Sequence, residues 1–438
     1  SPDFSVRAFY IYPMNIEEIY SRFLEHPSIS TDSRNVLPNS LFFALKGPSF
    51  NGNSYAAEAL DKGAAYAVVD EARFATNDRT LLVPNVLKCL QDLATHHRRQ
   101  SKATLIALTG SNGKTTTKEL ISRVLERTFK TQATVGNLNN HIGVALTLLQ
   151  IRKDTEMMVV EMGANHQKEI AFLCALAEPD YGYITNFGKA HLEGFGGLEG
   201  VIIGKSEMYD YLMAEGKTVF LNADDPIQRK KLESYVNKVG FSTSDPGYFR
   251  IENQGADPFV TLRAEDTAIE TSLSGGYNFS NCAAALLIGK YFNVPLSEIR
   301  IAIESYIPEN NRSQLLRIGS LDILLDAYNA NPSSMSAALE HLKALDAPKK
   351  LAILGDMFEL GADSASEHQL IAEQAAGLNL DNLMLVGKAF FATTAEAQKF
   401  KTFEALVEFL ESSPIKGSGT LLIKASRGMA LERLVNYL

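Results

Sequence analysis

One stretch of this chain, a strand followed by a glycine-containing loop and a helix, constrains the fold more than any other. Residues from Thr104 to Thr109 favour a β-strand. Glycines follow at Gly110 and Gly113, and a helical pattern starts with Lys114. Glycine tolerates positive φ, so successive backbone N–H groups of such a loop can converge on an anion. The N-terminus of the following helix adds roughly half a positive charge. The pattern therefore predicts a phosphate-binding loop.

The residue types of the loop indicate that the phosphate belongs to a nucleoside triphosphate. We expect Lys114 to bind the β- and γ-phosphates and Thr115 to bind Mg²⁺. The general pattern has a further glycine at the position of Leu108, so the match is incomplete. Three classes of protein remain open at this point: an ATP-dependent ligase, a P-loop kinase, and a nucleotide-gated binding or motor protein.

Length and composition indicate the number of domains, the kinds of partner and the cellular compartment. A chain of 438 residues suggests about three domains at roughly 150 residues each. The net charge of −9 argues against a nucleic-acid-binding surface. Three widely spaced cysteines, Cys89, Cys174 and Cys282, are typical of a reducing compartment and do not form a metal-binding pair. We expect neither a signal peptide nor a membrane span, and hence a cytoplasmic enzyme, monomeric, without a nucleic-acid or membrane partner.

The chain divides by pattern into three predicted domains, residues 1–97, 98–311 and 312–438. The second opens with the phosphate loop. The third alternates short apolar strands with helices of about 10–15 residues, a rhythm that predicts a parallel, Rossmann-like sheet. The predicted fold class is therefore α/β, with a central P-loop mononucleotide-binding parallel sheet and a C-terminal Rossmann-like sheet.

Four further features carry possible chemistry, and each has an ordinary alternative. The loop Asp32-Ser33-Arg34 suits a phosphate but is also a common turn. Glu161 ends a buried-type strand where a second acidic Mg²⁺ ligand is expected, although such residues are often solvated strand ends. His191 could be a metal ligand or a helix cap. Lys205 lies in a helical pattern, where most lysines are solvated surface residues.

The order of these motifs resembles the Mur ligase family of bacterial peptidoglycan synthesis. The resemblance extends from Asp32 to Arg427, and the family's own phosphate loop also lacks the distant glycine. The chain departs from the usual family residues at Ala145, Tyr277, Asn311 and Ala425. The segments that carry the resemblance are Thr109–Thr117, Gly136–Asn140, Glu161–Asn165, Asp326–Pro332 and Leu354–Leu360.

The resemblance implies an ATP-dependent amide ligase that works through an acyl-phosphate intermediate. The pattern is most similar to family members that join D-alanyl-D-alanine to UDP-N-acetylmuramoyl-tripeptide. The first domain would then bind the UDP-sugar, the central domain ATP with two Mg²⁺ ions, and the C-terminal domain the dipeptide. Two related alternatives are a sister ligase that adds the third amino acid, whose usual signature is absent, and folylpolyglutamate synthase-like ligases, which lack a UDP-binding domain.

The resemblance also implies roles for individual residues. Those expected at ATP are Gly110, Ser111, Asn112, Gly113, Lys114, Thr115, Thr116, Asn281, Arg312 and Asp326. Those expected at the sugar nucleotide are Asp32, Ser33, Arg34, Asn137, Asn139 and Asn140, and those expected at the dipeptide are Tyr328, Asn329, Asn331 and Arg427. The expected Mg²⁺ ligands are Thr115, Glu161, His191 and a Lys205 carbamylated by CO₂. The implied catalytic residues are Lys114, His191 and Lys205.

Overall fold

A computed structural model describes residues 15–309 and 311–438. Residues 1–14 of the predicted first domain, and Asn310 at the end of the second, lie outside the described residues. The helices are α1 Ile16–Glu25, α2 Ala56–Asp61, α3 Val86–Gln100, α4 Lys114–Glu126, α5 Gly143–Leu148, α6 Glu169–Ala177, α7 Leu192–Phe195, α8 Leu198–Ala214, α9 Pro226–Lys231, α10 Asn278–Tyr291, α11 Leu296–Glu304, α12 Pro332–Ala344, α13 Ser364–Ala376, α14 Lys388–Phe391 and α15 Phe403–Ser412. Short 3₁₀ helices span Gly52–Tyr55, Ala72–Phe74, Gly361–Asp363, Arg427–Met429 and Leu431–Tyr437.

The strands alternate with these helices along most of the chain. They are β1 Ile29–Ser30, β2 Leu41–Phe43, β3 Lys46–Gly47, β4 Phe50–Asn51, β5 Tyr66–Val69, β6 Thr80–Leu82, β7 Thr104–Thr109, β8 Thr131–Ala133, β9 Met157–Glu161, β10 Tyr181–Ile184, β11 Thr218–Asn222, β12 Lys238–Ser242, β13 Phe249–Arg250, β14 Glu252–Ala256, β15 Phe259–Ala264, β16 Thr267–Ser274, β17 Gln314–Ile318, β18 Leu321–Asp326, β19 Lys350–Gly355, β20 Asn382–Val386, β21 Gln398–Phe400 and β22 Gly419–Lys424.

Contacts divide the described chain into two compact units. The first comprises residues 15–103, 134–155 and 172–178, and the second comprises residues 104–133, 156–171, 179–309 and 311–438. The predicted C-terminal domain and most of the predicted central domain therefore fall within one unit. The three domain boundaries inferred from the sequence stay a prediction.

The first unit is built on a small parallel sheet of order β1-β2-β5-β6. Its core includes Phe42, Ala59 and Val69, which pack between the sheet and helix α2. Helix α1 is amphipathic and buries Ile19 and Phe23 on one face, since these positions lie four residues apart.

The second unit contains two large sheets, each with its own core. The first has the order β13-β12-β11-β10-β7-β9-β8 and is parallel throughout. From β7 the chain forms β8 at one edge and then β9 between β8 and β7, and it continues at β10 on the other side of β7. In open α/β sheets such a reversal of strand order opens a crevice at the carboxyl ends of the strands. The phosphate loop follows β7 and therefore lies at this crevice.

The other large sheet of this unit has the order β17-β18-β22-β19-β20-β21. All of its neighbours are parallel except the edge strand β17, which pairs antiparallel with β18. Asp326 ends β18 and is in register with Lys424, the last residue of β22. The sheet thus brings a carboxylate and an ammonium together at its carboxyl edge.

The predicted α/β class is confirmed, with parallel sheets where the sequence predicted them. The alternating strands predicted for the C-terminal part are present as β18, β19, β20 and β22. A three-stranded antiparallel sheet, β14-β15-β16, accompanies the parallel sheets. Over the described part of the chain, no helix combines the length and apolar character needed to cross a membrane.

One prediction concerns Gln228, a fully buried amide on α9. Its Nε2 donates to the Ile184 carbonyl at 3.0 Å, and its Oε1 accepts from Tyr209 Oη and Asn222 N at 3.2 and 3.0 Å. Gln228→Leu preserves the volume but leaves these groups unpaired, which should lower the free energy of unfolding by roughly 1–3 kcal/mol for each. Urea denaturation would measure the loss. The control is Gln398→Leu, a substitution of an exposed residue on β21, which should change the free energy of unfolding by no more than about 0.5 kcal/mol. Equal stability of the two variants would contradict the prediction.

Candidate active site

The phosphate loop between β7 and α4 leaves no space for side chains at its two glycines. Gly110 and Gly113 have φ of 145° and 77°. A Cβ on Gly110 would come within 1.9 Å of Thr185 Oγ1, and one on Gly113 within 2.5 Å of Asn281 Oδ1. Both the backbone conformation and the packing therefore require glycine at these positions.

The segment that follows β10 holds the loop in this conformation. Thr185 Oγ1 and Asn186 Nδ2 both donate to the Asn112 carbonyl, at 2.6 and 3.0 Å. Asn112 N donates in return to Asn186 Oδ1 at 3.0 Å, and Ser111 Oγ donates to the Gly188 carbonyl at 2.8 Å. The loop is thus preorganised by side chains from a neighbouring strand end.

Lys114 and Thr115 stand at the start of α4, as the loop pattern predicts. The half-buried Lys114 donates from Nζ to the Gly110 carbonyl at 2.8 Å. Burial lowers the pKa of this ammonium; the Glu161 carboxylate opposes the shift and the Arg312 cation adds to it. Thr115 Oγ1 donates to Glu161 Oε2 at 2.9 Å, and both residues are buried. The structure therefore brings the predicted phosphate ligand and two predicted Mg²⁺ ligands together.

The buried hydroxyl–carboxylate pair of Thr115 and Glu161 supplies oxygen donors of the kind that Mg²⁺ prefers. In the described part of the chain, no three His, Cys, Asp or Glu side chains form a group that could hold a metal. A second ion in the predicted place would therefore need further donors, and the predicted ones are His191 and a modified Lys205.

Lys205 is a core residue rather than a surface one. It lies on α8 with 1% of its surface exposed, and its Nζ donates to the Ala164 carbonyl at 3.1 Å. The Phe195 ring centroid lies 5.1 Å from Nζ. Burial, followed by the Lys114 charge, lowers the pKa of Lys205 well below its usual value. The surface alternative for Lys205 is therefore wrong.

Asn281 buttresses the phosphate loop from α10. Its Oδ1 accepts a hydrogen bond from Thr117 Oγ1 at 2.9 Å, and its Nδ2 donates to Asn278 Oδ1 at 2.8 Å. Thr116, the last predicted loop ligand, is buried beside this network. Both ends of the Asn281 amide therefore have protein partners. Its contact with adenine stays a prediction.

An ion pair and a stacked arginine stand at the carboxyl edge of the C-terminal sheet. Lys424 Nζ donates to Asp326 Oδ2 at 2.5 Å and to the Asn329 carbonyl at 3.2 Å. The Arg312 guanidinium lies 3.5 Å from the Tyr328 ring centroid. Arg427 lies 5.7 Å from the centroid of the same ring. Five of the predicted nucleotide and dipeptide residues, Arg312, Asp326, Tyr328, Asn329 and Arg427, therefore gather at this edge.

Asn331 links this edge to the phosphate loop. Its Oδ1 accepts from Ser334 N at 2.9 Å and caps α12, while its Nδ2 donates to Asn112 Oδ1 at 2.7 Å. The neighbouring Asn329 turns its Oδ1 toward the Ala330 amide. One predicted dipeptide residue, Asn331, is thus hydrogen-bonded directly to the phosphate loop.

The predicted sugar-nucleotide residues lie in the first unit. Arg34 there forms a bidentate pair with Asp32, with Nη2–Oδ2 at 2.6 Å and Nε–Oδ1 at 2.9 Å. This pair lowers the pKa of Asp32 to about 2. The Ser33 carbonyl accepts a hydrogen bond from Lys62 at 2.7 Å. The turn expected as the ordinary alternative is present, and a phosphate contact stays a prediction.

The amide-rich segment of the first unit contains Asn137, Asn139 and Asn140. Asn140 Oδ1 accepts from the amides of Ile142 and Gly143 at 3.0 and 2.9 Å, next to the start of α5. Asn137 is exposed and Asn139 is half-buried. Asn140 thus has a capping role, and contacts of all three with a substrate stay a prediction.

Sequence reasoning missed three residues that shape this region. Asn186 clamps the phosphate loop, Lys424 neutralises Asp326, and Glu359 lies 2.5 Å from His191. Lys424 ends β22, Asn186 follows β10 by two residues, and Glu359 lies in the Leu354–Leu360 segment, four residues after β19. Their position there was the available signal, because strand ends of a parallel sheet meet at one edge.

Three family models match consecutive parts of the chain. Residues 27–98 match the model described as Mur ligase family, catalytic domain, and residues 108–289 match the Mur ligase middle domain. Residues 311–427 match the model described as Mur ligase, glutamate ligase domain. Together they span most of the sequence.

Several known proteins are similar to this chain over nearly its full length. The UDP-N-acetylmuramoyl-tripeptide–D-alanyl-D-alanine ligase of Bacillus subtilis is 31% identical, with 97% of each chain covered. MurF from Acinetobacter baumannii has a TM-score of 0.84 at 28% identity, covering 97% of this chain and 98% of that one. MurF ligase from Thermotoga maritima, solved in complex with ADP, has a TM-score of 0.82 at 27% identity, covering 94% and 97%. The chain belongs to the Mur ligase family.

Proposed function

We propose that this chain is an ATP-dependent ligase that joins D-alanyl-D-alanine to UDP-N-acetylmuramoyl-tripeptide in cytoplasmic peptidoglycan precursor synthesis. Membership of the family supports ligase chemistry, and the relatives named above carry this activity in their names. A catalytic role for Lys114, His191 and Lys205 is part of the proposal.

The observation that carries the proposal is the hydrogen bond from Asn331 to Asn112. It joins the phosphate loop to the strand edge where Arg312, Tyr328 and Arg427 gather. A ligase needs this arrangement, because the amine of the second substrate must reach an acyl group activated at the γ-phosphate. A kinase or a nucleotide-gated motor has no need for an amine site beside its phosphate loop.

The chemistry follows from the poor electrophilicity of a carboxylate at neutral pH. The carboxylate oxygen of the tripeptide attacks the γ-phosphorus of ATP, the bond to the β-phosphate oxygen breaks, and ADP leaves. The dipeptide amine then attacks the acyl carbon of the acyl phosphate and loses a proton. The tetrahedral intermediate collapses with loss of inorganic phosphate, which leaves a new amide bond.

The residues at the loop offset the repulsion between the carboxylate and the triphosphate. Lys114 and Arg312 place two cations close enough for Arg312 to lower the pKa of Lys114. Preorganised charges of this kind stabilise the charge that develops on the transferred phosphoryl group. Thr115 and Glu161 would hold Mg²⁺, which neutralises phosphate charge when bound.

A second Mg²⁺ ion would be held by His191 and by Lys205 as its carbamate. Carbamylation requires a neutral amine, and the burial that lowers the pKa of Lys205 favours that form. A carbamate would supply the anionic oxygen donors that an amine cannot.

The proposed function also assigns residues to the two peptide substrates and to the nucleotide. Asp32, Ser33, Arg34 and the three asparagines of the first unit would bind the UDP-muramoyl end of the substrate. Tyr328, Asn329, Asn331 and Arg427 would bind the dipeptide, and Asn281, Arg312 and Asp326 would reach the nucleotide. We further propose a monomer without membrane or nucleic-acid partners. The net charge of −9 supports the absence of a nucleic-acid partner.

We predict that phosphate release from ATP requires UDP-N-acetylmuramoyl-tripeptide and D-alanyl-D-alanine together. Neither substrate alone completes the cycle, because the acyl phosphate forms on one and is consumed by the other. A coupled assay for phosphate with each substrate omitted in turn measures this. Equal stimulation by single amino acids, with no response to the dipeptide, would support the sister ligase instead. Release without either substrate would favour a nucleotide-gated protein.

Lys114→Ala should abolish turnover without unfolding the chain. The lost cation acts on charge that moves during phosphoryl transfer, so kcat should fall by far more than tenfold, the equivalent of about 1.4 kcal/mol. Steady-state kinetics and circular dichroism measure the two effects. The control is Lys217→Ala, which removes a half-exposed lysine paired with Asp180 and should leave kcat unchanged. Retention of more than about a tenth of wild-type turnover in Lys114→Ala contradicts the role.

Lys205→Ala should lose activity and regain part of it when acetate or formate fills the space of the carbamate. Lys205→Arg should not be rescued, because arginine keeps a positive charge where an anion is needed. In the wild type, ¹³C-labelled bicarbonate should give a carbamate signal by NMR that both variants lack. Lys217→Arg serves as the control and should retain the signal. Wild-type turnover by Lys205→Arg in bicarbonate-depleted buffer would exclude the carbamate.

A further inference from the structure

One large apolar side chain is exposed in the loop that follows β19. Residues 356–360 include three apolar residues. Met357 and Leu360 are both 2% exposed, whereas Phe358 between them is 45% exposed. A single exposed aromatic ring is ordinary on a protein surface and by itself indicates nothing. The contacts of the backbone and of the ring therefore decide whether Phe358 has a role.

The backbone that carries the Phe358 ring is fixed by two successive hydrogen bonds. Met357 N donates to Nε2 of the fully buried His368 at 2.9 Å. Phe358 N donates to Ser426 Oγ, also at 2.9 Å. Both acceptors belong to other segments of the chain, so the loop is held against its neighbours and the direction of the Phe358 side chain is set.

The hydroxyl that holds Phe358 also connects its loop to the phosphate loop. Ser426 is 1% exposed, and its Oγ donates in turn to the Ala330 carbonyl at 3.3 Å. The next residue, Asn331, donates from Nδ2 to Asn112 Oδ1 in the phosphate loop. A continuous path of hydrogen bonds and backbone thus fixes Phe358 relative to the place where an acyl group would be activated.

The Phe358 ring lies beside one of the predicted dipeptide residues. A Cβ on Gly428 would come within 2.7 Å of the ring, so the ring lies against the backbone at Gly428. The preceding residue is Arg427, whose guanidinium lies 5.7 Å from the Tyr328 ring centroid. An exposed apolar ring and a cation therefore occupy neighbouring positions at the carboxyl edge of the C-terminal sheet.

We propose that Phe358 is a specificity residue for the second substrate, an inference that rests on the proposed function. Its ring contacts the methyl group of the C-terminal D-alanine while Arg427 binds the carboxylate. In D-alanyl-D-alanine this methyl group and the carboxylate are attached to the same carbon atom, so a cation and an apolar ring side by side suit them both.

The two residues have different tasks in this arrangement. The carboxylate is common to all dipeptides, so Arg427 alone cannot distinguish one side chain from another. An apolar ring favours a methyl group over a hydrogen atom, because the contact removes apolar surface from water. Since the loop is already fixed by Ser426 and His368, little conformational entropy is lost when the substrate binds.

The test compares D-alanyl-D-alanine with D-alanyl-glycine, which lacks only the methyl group in question. The phosphate-release assay, at saturating ATP and UDP-N-acetylmuramoyl-tripeptide, gives kcat/KM for each dipeptide. An apolar pocket distinguishes one such group by roughly 10–200-fold, and because Phe358 is half-exposed we expect about tenfold in the wild type. Phe358→Ala should bring the ratio close to one by raising the KM for D-alanyl-D-alanine, with the KM for ATP unchanged.

Phe391→Ala is the matched control. Phe391 lies on α14 in the same unit and is 46% exposed, so the two substitutions remove the same side chain at nearly equal exposure. The control should keep the wild-type ratio. An unchanged ratio in Phe358→Ala, an equal loss in Phe391→Ala, or a wild-type ratio near one would each overturn the inference and leave the proposed function standing. A wild type that releases no phosphate with either dipeptide would refute the proposed function, and the inference with it.

Discussion

The close packing of the phosphate loop is the constraint on which the candidate active site depends. At Gly110 and Gly113 neighbouring side chains occupy the space that a Cβ would need, and both backbones are left-handed. The loop can adopt this path only because Thr185 and Asn186, at the end of an adjacent strand, bond to Asn112. Strand order in the central sheet therefore determines the shape of the anion site.

The electrostatics of the site follow from burial. Lys205 is almost completely buried, Lys114 is half-buried, and burial lowers the pKa of both. Cations removed from water gain most when an anionic ligand approaches, because the low local dielectric strengthens the attraction. This arrangement suits a reaction in which two anionic substrates must meet.

Residues from the C-terminal sheet complete the site. Asn331 reaches the phosphate loop, Lys424 neutralises Asp326, and Glu359 approaches His191. Each contact joins groups that lie more than 90 residues apart in sequence, so each depends on how the strand ends are brought together. The contacts of Asn331 and Glu359 also join residues that follow strands of the two different large sheets, so the shape of the site depends on the packing between these sheets.

The sequence by itself determined the features that are local. It predicted the strand, loop and helix around Lys114, the alternating elements of the C-terminal part and the family, because strand, helix and turn preferences act over a few residues. Only the tertiary structure decided which polar side chains are buried and which already have hydrogen-bond partners within the protein. By local sequence Lys205 is expected at the surface, yet the fold buries it. The fold also pairs the side-chain amides of Asn281 and Asn331 with distant residues, which the sequence does not show. Burial and hydrogen-bond partners come from residues distant in sequence, and local patterns do not encode them.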